Sequence, residues 1–322
     1  MALKTGVVFA GGGAVGLVIA AVLWSTRKPD AMVRPTRDAA VVTARDAAVV
    51  PPPPPPPPPP RVTEGCVRLA GGAFTMGSPV GEGEDDERPQ HTVTVAGFCI
   101  DRTEVTVGAY RACVAAGRCA APTAYDERPG RWQVFCHWGR SGVEGHPINC
   151  VTQPQAEAYC AWRGGHLPTE DQWEFAARGA AGRRYPWGDT PEPSPQNSNL
   201  CGSECVTYAE ALGRSSTGIA GWTDPWGATA AVAELPRAGD TPDGLIGMAG
   251  NVLEWTRTPY GRYTTRTGDA TEERGIDGNS RVVRGGAWVS LSPASARAAF
   301  RIRYDTVSGY EYVGFRCVAE GR

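Results

Sequence analysis

The sequence predicts an α+β domain of low regular secondary structure, stapled by disulfides. Three observations carry this. Gly (41) and Pro (28) are too frequent in 322 residues for a helix-rich or coiled-coil protein. Ten cysteines, an even number with none before Cys66, suggest a disulfide framework and an oxidising compartment. Ten Trp and ten Tyr supply the large side chains of a true core, which excludes wholesale disorder. Charge is nearly balanced, 32 Lys+Arg against 34 Asp+Glu, so no nucleic-acid partner is expected.

The chain divides into a short tail (1–5), an apolar segment (6–24), a linker (25–60) and a body (61–322). Gly6 to Trp24 carries no charge. As a helix it would reach roughly 28 Å, close to the ~30 Å of a bilayer's hydrocarbon core. Leu23 and Trp24 leave no small-x-small cleavage site, so the segment reads as an uncleaved transmembrane anchor. Its flanking charges conflict. Arg27, Lys28, Arg34 and Arg37 outnumber Lys4 and oppose export of the C-terminal part, whereas the cysteines favour it. The cysteines decide the expectation: a body in the periplasm or outside the cell. In the linker, Asp38-Ala39-Ala40-Val41-Val42 recurs as Asp46-Ala47-Ala48-Val49-Val50, and Pro51 to Pro60 forms a polyproline spacer of roughly 30 Å.

Within the body, Val107, Tyr110 and Val114 share one face of a helix from Thr106 to Ala116, which Gly117 can close. A second helix runs from Thr152 to Arg163, capped by Thr152 and ended by Gly164-Gly165. A third begins at Thr169, where Thr169 and Gln172 form a capping box, and ends at Arg178 before Gly179. Alternating runs predict strands over His91–Ile100 and Val282–Val289. The acidic run Glu82–Glu87 reads as a solvated loop.

Seven motifs then follow in one order. They are Phe74-Thr75-Met76-Gly77-Ser78, Asp101-Arg102-Thr103-Glu104-Val105-Thr106, Leu167-Pro168-Thr169-Glu170-Asp171-Gln172-Trp173-Glu174, Tyr185-Pro186-Trp187-Gly188, Gly250-Asn251-Val252-Leu253-Glu254-Trp255, Arg284-Gly285-Gly286-Ala287-Trp288 and Gly314-Phe315-Arg316-Cys317. In this set the body resembles the formylglycine-generating enzyme, or sulfatase-modifying factor, family. The resemblance implies a variant of the C-type-lectin-like fold. It also implies a disulfide between Cys160 and Cys317. Pairings of Cys113 with Cys119, Cys201 with Cys205, Cys136 with Cys150 and Cys66 with Cys99 are plausible, but spacing does not decide them.

Active members of that family oxidise a sulfatase cysteine to formylglycine with oxygen and copper, and two thiolates hold Cu(I). Soft, ionisable sulfur is what Cu(I) requires. The corresponding positions here are Ser290 and Ser295, whose hydroxyls are hard and protonated. Ala287 replaces the family's active-site serine and Leu253 its motif tryptophan. Copper is therefore not expected, and the body reads as a pseudoenzyme without catalytic residues. The resemblance also implies two calcium sites. Asn199, Leu200, Asp224 and Trp226 match the first, an all-oxygen set suited to Ca²⁺. Gly247, Gly250, Val252 and Glu254 match the second, where Gly247 replaces a side-chain oxygen donor. Only the first is expected to hold calcium. Related branches of the family bind iron through three histidines. The four here (His91, His137, His146, His166) come without the extra helical domain, so no iron site is expected. His137 and His146 with Cys136 or Cys150 miss the usual zinc spacings. Arg297, Arg301 and Arg303 sit near the degenerate pocket and could line a groove for an extended or acidic peptide. The expected function is a membrane-tethered binding domain for a protein or peptide partner. The competing expectation is an oxidoreductase of the same family that uses other metal ligands.

Overall fold

The computed structural model describes residues 61–122, 133–263 and 278–321. The chain divides into two units, 1–54 and 55–322, and every described residue belongs to the second. The predicted anchor (6–24), the Asp-Ala-Ala-Val-Val repeat and the polyproline run lie outside the described residues. Among the described residues, no helix is long and apolar enough to cross a membrane.

The body is a mixed helix–sheet domain with short elements, as its composition implies. Strands β1 (Val67–Leu69), β4 (Phe98–Ile100) and β9 (Val318–Glu320) form an antiparallel sheet in the order β1-β4-β9. Strands β2 (Gly72–Met76) and β3 (His91–Val95) pair as a separate antiparallel ribbon. A third sheet has the order β7-β6-β5-β8, from β5 (Leu253–Pro259), β6 (Ser280–Arg284), β7 (Arg301–Asp305) and β8 (Val313–Gly314).

Helix α1 (Val107–Ala115) starts where Thr106 accepts a hydrogen bond from the Ala109 amide. Helices α2 (Gln153–Trp162) and α3 (Glu170–Arg178) both carry complete capping boxes, Thr152 with Gln155 and Thr169 with Gln172. α3 is buried on nearly every side, with Trp173 at its centre, 0% exposed. It packs Phe175 edge-on against Phe74, ring centroids 5.4 Å apart. A second core gathers Tyr110, Tyr159, Trp255 and Phe315, with Tyr110 stacked on Tyr159 at 5.6 Å.

Three sequence expectations need correction. The strand expected over His91–Ile100 is two strands, because its halves serve different sheets. β3 alternates half-buried and exposed residues against β2 until Val95 is buried, whereas β4 is buried on both faces as the middle strand of its sheet. The strand expected over Val282–Val289 stops at Arg284. Gly285 (φ 100°) and Gly286 (φ 69°) take up left-handed backbone that ends the ladder, and a Cβ on Gly286 would lie 2.9 Å from the Ser295 carbonyl oxygen. The helix pattern also omits a fourth helix, α4 (Ser203–Ala211). It has no side-chain cap at Gly202, so the usual start signal is missing. The Cys201–Cys205 disulfide pins its first turn instead.

All ten cysteines are paired: Cys66–Cys99, Cys113–Cys119, Cys136–Cys150, Cys160–Cys317 and Cys201–Cys205. Such a set belongs in an oxidising, extracellular-type environment.

Candidate functional site

The loop after the Gly-Gly pair carries the two positions where the family resemblance requires sulfur. Both hydroxyls there are engaged by their own loop. The Ser290 Oγ accepts from the Ala287 amide at 3.0 Å, and the Ser295 Oγ donates to the Ser292 carbonyl at 2.8 Å. Ser295 is buried, 5% exposed. Ala287 and Leu253 are fully enclosed in the Trp255 core, so neither offers a polar atom to a ligand. The Ser290 carbonyl accepts from the Cys201 amide at 3.1 Å, which brings a sulfur-bearing residue to this loop. That sulfur is bonded to Cys205. With no free cysteine in the chain, no thiolate is available to replace the serines.

The arginines expected to line a groove do something else. Arg297 is buried and pairs with Glu87, its Nη2 lying 2.7 Å from the carboxylate, and its Nη1 donates to Ser78 at 3.0 Å. Glu87 is 0% exposed, so the acidic run is not wholly a solvated loop. Burial pushes the Glu87 carboxyl up, but the hydrogen bonds from Arg297 and Ser78 outweigh this and hold it below its ordinary value. Arg301 is buried too, bidentate on Glu170 at 2.8 Å through both Nε and Nη2. Of the three, only Arg303 is exposed, its guanidinium 5.1 Å from the centre of the Tyr260 ring.

These pairs extend through the interior and link the sequence motifs to one another. Arg284 of the Arg-Gly-Gly motif meets Glu170 at 2.5 Å and Glu174 at 2.8 Å, both from α3. Arg316 of the Gly-Phe-Arg-Cys motif grips Glu254 of the Asn-Val-Leu-Glu-Trp motif at 2.7 Å. The Trp173 indole N–H donates to the same carboxylate at 2.8 Å. Four of the seven motifs, those carrying Glu170 and Glu174, Glu254, Arg284 and Arg316, are therefore halves of buried ion pairs, each charge neutralised by a residue from a distant motif.

The first oxygen set is brought together. Asp224 is 3% exposed and accepts from the Trp226 amide at 2.9 Å and from the Trp222 indole at 3.0 Å, with a further backbone bond from Leu200. Burial pushes its carboxyl up. Asn199, next to Leu200, donates to the Ala228 carbonyl at 2.9 Å, while its Oδ1 is buried with no partner among the described residues. A buried acceptor without a donor is costly unless something fills it, and a cation would. These residues could hold calcium.

The second set differs. Both Glu254 oxygens accept from the Arg316 guanidinium, a cation that neutralises the carboxylate, whereas those of Asp224 meet only neutral N–H groups. Gly247 supplies no side chain, and Glu104, which sequence reasoning missed, fills the space. A Cβ on Gly247 would lie 2.6 Å from the Glu104 Oε2. Glu104 is 1% exposed, and that Oε2 has no hydrogen-bond partner among the described residues. Burial pushes its carboxyl up to about 7, with Arg316 opposing and Glu254 adding to the rise. Its sequence signal was its place in the Asp101–Thr106 motif leading into α1, which says nothing of where the side chain reaches.

The histidines form no metal cluster. Among the described residues, no group of three or more His, Cys, Asp or Glu is arranged to hold one. Cys136 and Cys150 are bonded to each other, which removes the sulfur that a site at His137 and His146 would have needed.

Comparison with known proteins shows the family. The sulfatase-modifying factor enzyme 1-like domain family matches residues 54–321. The formylglycine-generating enzyme of Streptomyces coelicolor is 32% identical over 299 residues, covering 80% of this chain and 90% of that protein. A bovine (Bos taurus) relative, named inactive C-alpha-formylglycine-generating enzyme 2, is 29% identical over 80% of this chain and 88% of its own. The solved structure of PvdO from Pseudomonas aeruginosa superposes with a TM-score of 0.63 at 25% identity, covering 81% of this chain and 97% of PvdO. Other relatives of similar identity are named hercynine oxygenase. By the match over residues 54–321 and the identity with the Streptomyces coelicolor enzyme, the chain is a member of the sulfatase-modifying factor, or formylglycine-generating enzyme, family.

Proposed function

We propose that this chain is a non-catalytic member of the family, a domain with a C-type-lectin-like variant of the fold that binds a protein or peptide partner outside the cytoplasm. In this reading residues 6–24 tether it to a membrane and residues 25–60 hold it away from the surface. One observation carries the proposal: all ten cysteines are locked in disulfides, and serines, Ser290 and Ser295, occupy the positions that the family resemblance gives to the copper thiolates. A hydroxyl hydrogen-bonded to its own loop does not ionise to grip Cu(I) at neutral pH. The existence of relatives named inactive supports it. Calcium at Asn199, Leu200, Asp224 and Trp226 would serve as a structural ion, bracing the loop that precedes α4; the orphaned Asn199 Oδ1 supports this. The test is incubation of the purified protein with Cu(I), oxygen and a peptide carrying Cys-x-Pro-x-Arg, read by mass spectrometry. Unchanged peptide is the expected result, and aldehyde formation would overturn the proposal.

A further inference from the structure

A small pocket of about 240 Å³ opens between Phe135, Tyr208 and Trp226 on one side and His137, His146 and Thr229 on the other. It includes neither serine of the degenerate copper positions. Its volume falls below the roughly 300–1,000 Å³ typical of pockets for drug-sized ligands, so it suits a single ring. Phe135 and Tyr208 meet edge to face at 5.6 Å and provide an aromatic wall.

The polar side is a chain of hydrogen bonds whose direction is fixed by chemistry. The His137 Nδ1 lies 2.9 Å from the Pro147 carbonyl oxygen, which can only accept, so Nδ1 carries a proton. Burial pushes the His137 pKa down to about 4, and the ring is neutral near pH 7. Its Nε2 is therefore bare and accepts from the Thr229 hydroxyl, 3.1 Å away. Thr229 has now used its one proton. Its oxygen, 2.9 Å from the His146 Nδ1, must accept from that nitrogen. His146 is thus held as the Nδ1–H tautomer, and its Nε2 keeps an unshared lone pair with no partner among the described residues. Burial lowers the His146 pKa. Glu234 pulls the other way, and the Arg140 guanidinium, which lines the pocket, adds to the lowering. The result is a neutral acceptor, oriented by two residues behind it, beside an aromatic wall.

We propose that this pocket binds a small aromatic ring bearing a hydrogen-bond donor, of which a phenol is the simplest case. The ring packs on Phe135 and Tyr208 and its hydroxyl donates to the His146 Nε2. The same chemistry could arrive as a free phenolic compound or as a tyrosine side chain of a partner protein. The site uses none of the residues at the degenerate copper positions, so it stands whether or not the chain oxidises cysteine.

The test uses the full chain with disulfides intact and p-cresol as probe, measured by calorimetry. 4-Methylanisole, its methyl ether, has nearly the same shape and no donor. Leaving the nitrogen unpaired in a confined site predicts at least about tenfold weaker binding for the ether. The His146→Leu variant, checked for unchanged thermal unfolding, should bring the two probes within about twofold of each other. The Thr229→Val variant releases the tautomer and should narrow the preference without abolishing it. In ¹⁵N spectra the His146 Nε2 should be pyridine-like in the free protein and shift on addition of p-cresol. Tighter binding of acetyl-Gly-Tyr-Gly-amide than p-cresol would identify a protein partner as the source. Exclusion of the peptide with p-cresol retained would identify a small molecule. Equal affinity for p-cresol and its ether, no binding of either, or a preference that survives His146→Leu would overturn the proposal.

Discussion

Replacing Arg316 by Met tests how far buried ion pairs between four of the family motifs hold the body together. Arg316 and Glu254 are each 0% exposed at the side chain. Arg316 donates to Glu254 through Nε at 2.9 and 2.8 Å and through Nη2 at 2.7 Å, and further binds the carbonyls of Asp101, Arg102 and Ile246. Removing it leaves Glu254 enclosed with only the Trp173 N–H for company, and with Glu104 close enough to repel it. Breaking one side of a fully buried pair costs about 3–5 kcal/mol. At about 2–4 °C per kcal/mol for a domain of this size, Tm should fall by roughly 6–20 °C. Guanidinium and thermal unfolding with oxidised disulfides, at pH 7.5, measure it. The double variant Arg316→Met, Glu254→Gln should recover part of the loss, because no uncompensated charge remains. A cost below about 1 kcal/mol for the single variant, or a double variant that costs the sum of the two singles, would refute the reasoning.

Removing the Cys160–Cys317 bridge, which spans a sequence separation of 157, with paired Ala substitutions should lower stability by roughly 5 kcal/mol in the chain-entropy model; denaturant unfolding checks this, and a loss under about 1 kcal/mol would contradict it. His137, held neutral with its pKa pushed from 6.5 down to about 4, makes the unfolded state bind more protons between those values. Stability is therefore full above pH 6.5 and falls as pH drops toward 4, by up to about 3 kcal/mol. His137→Gln should flatten that slope, and NMR titration should show His137 unprotonated at pH 5.5. Calcium in excess over chelator should raise Tm, and Asp224→Asn should abolish the rise; an unchanged Tm on calcium addition to the wild type would remove the structural-ion reading.

Much of this was legible in the sequence, for reasons that can be named. The helices at Thr152 and Thr169 announced themselves because a hydroxyl N-cap is a local signal, and the structure finds both caps bonded as expected; the helix after Thr106 was legible from its apolar face, and its cap is an additional finding. The motifs were visible, but their purpose was not. Glu170 and Arg284 lie 114 residues apart, and nothing local says that they meet. The same blindness made Arg297 and Arg301 look like a surface groove. An arginine's burial depends on a partner such as Glu87, more than two hundred residues away from Arg297 and within a run that reads as hydrophilic. Helix α4 was hidden because a covalent bond, rather than a cap, starts it. At the candidate site the loss of sulfur was legible residue by residue. The acid that occupies the space beside Gly247 was not, because Glu104 reaches it through the fold alone.

The single long-range bridge also governs how the molecule would respond to being cut. Four of the five crosslinks close short circuits, with separations of 33, 14, 6 and 4, while Cys160–Cys317 encloses nearly half of the chain. A protease that severs the backbone once between those two residues yields fragments that stay fastened together until a reductant is added. Such a nicked form would migrate as intact material on a non-reducing gel and as two pieces on a reducing one. A single cut inside that span thus parts the pieces only once an electron donor has also opened the bridge.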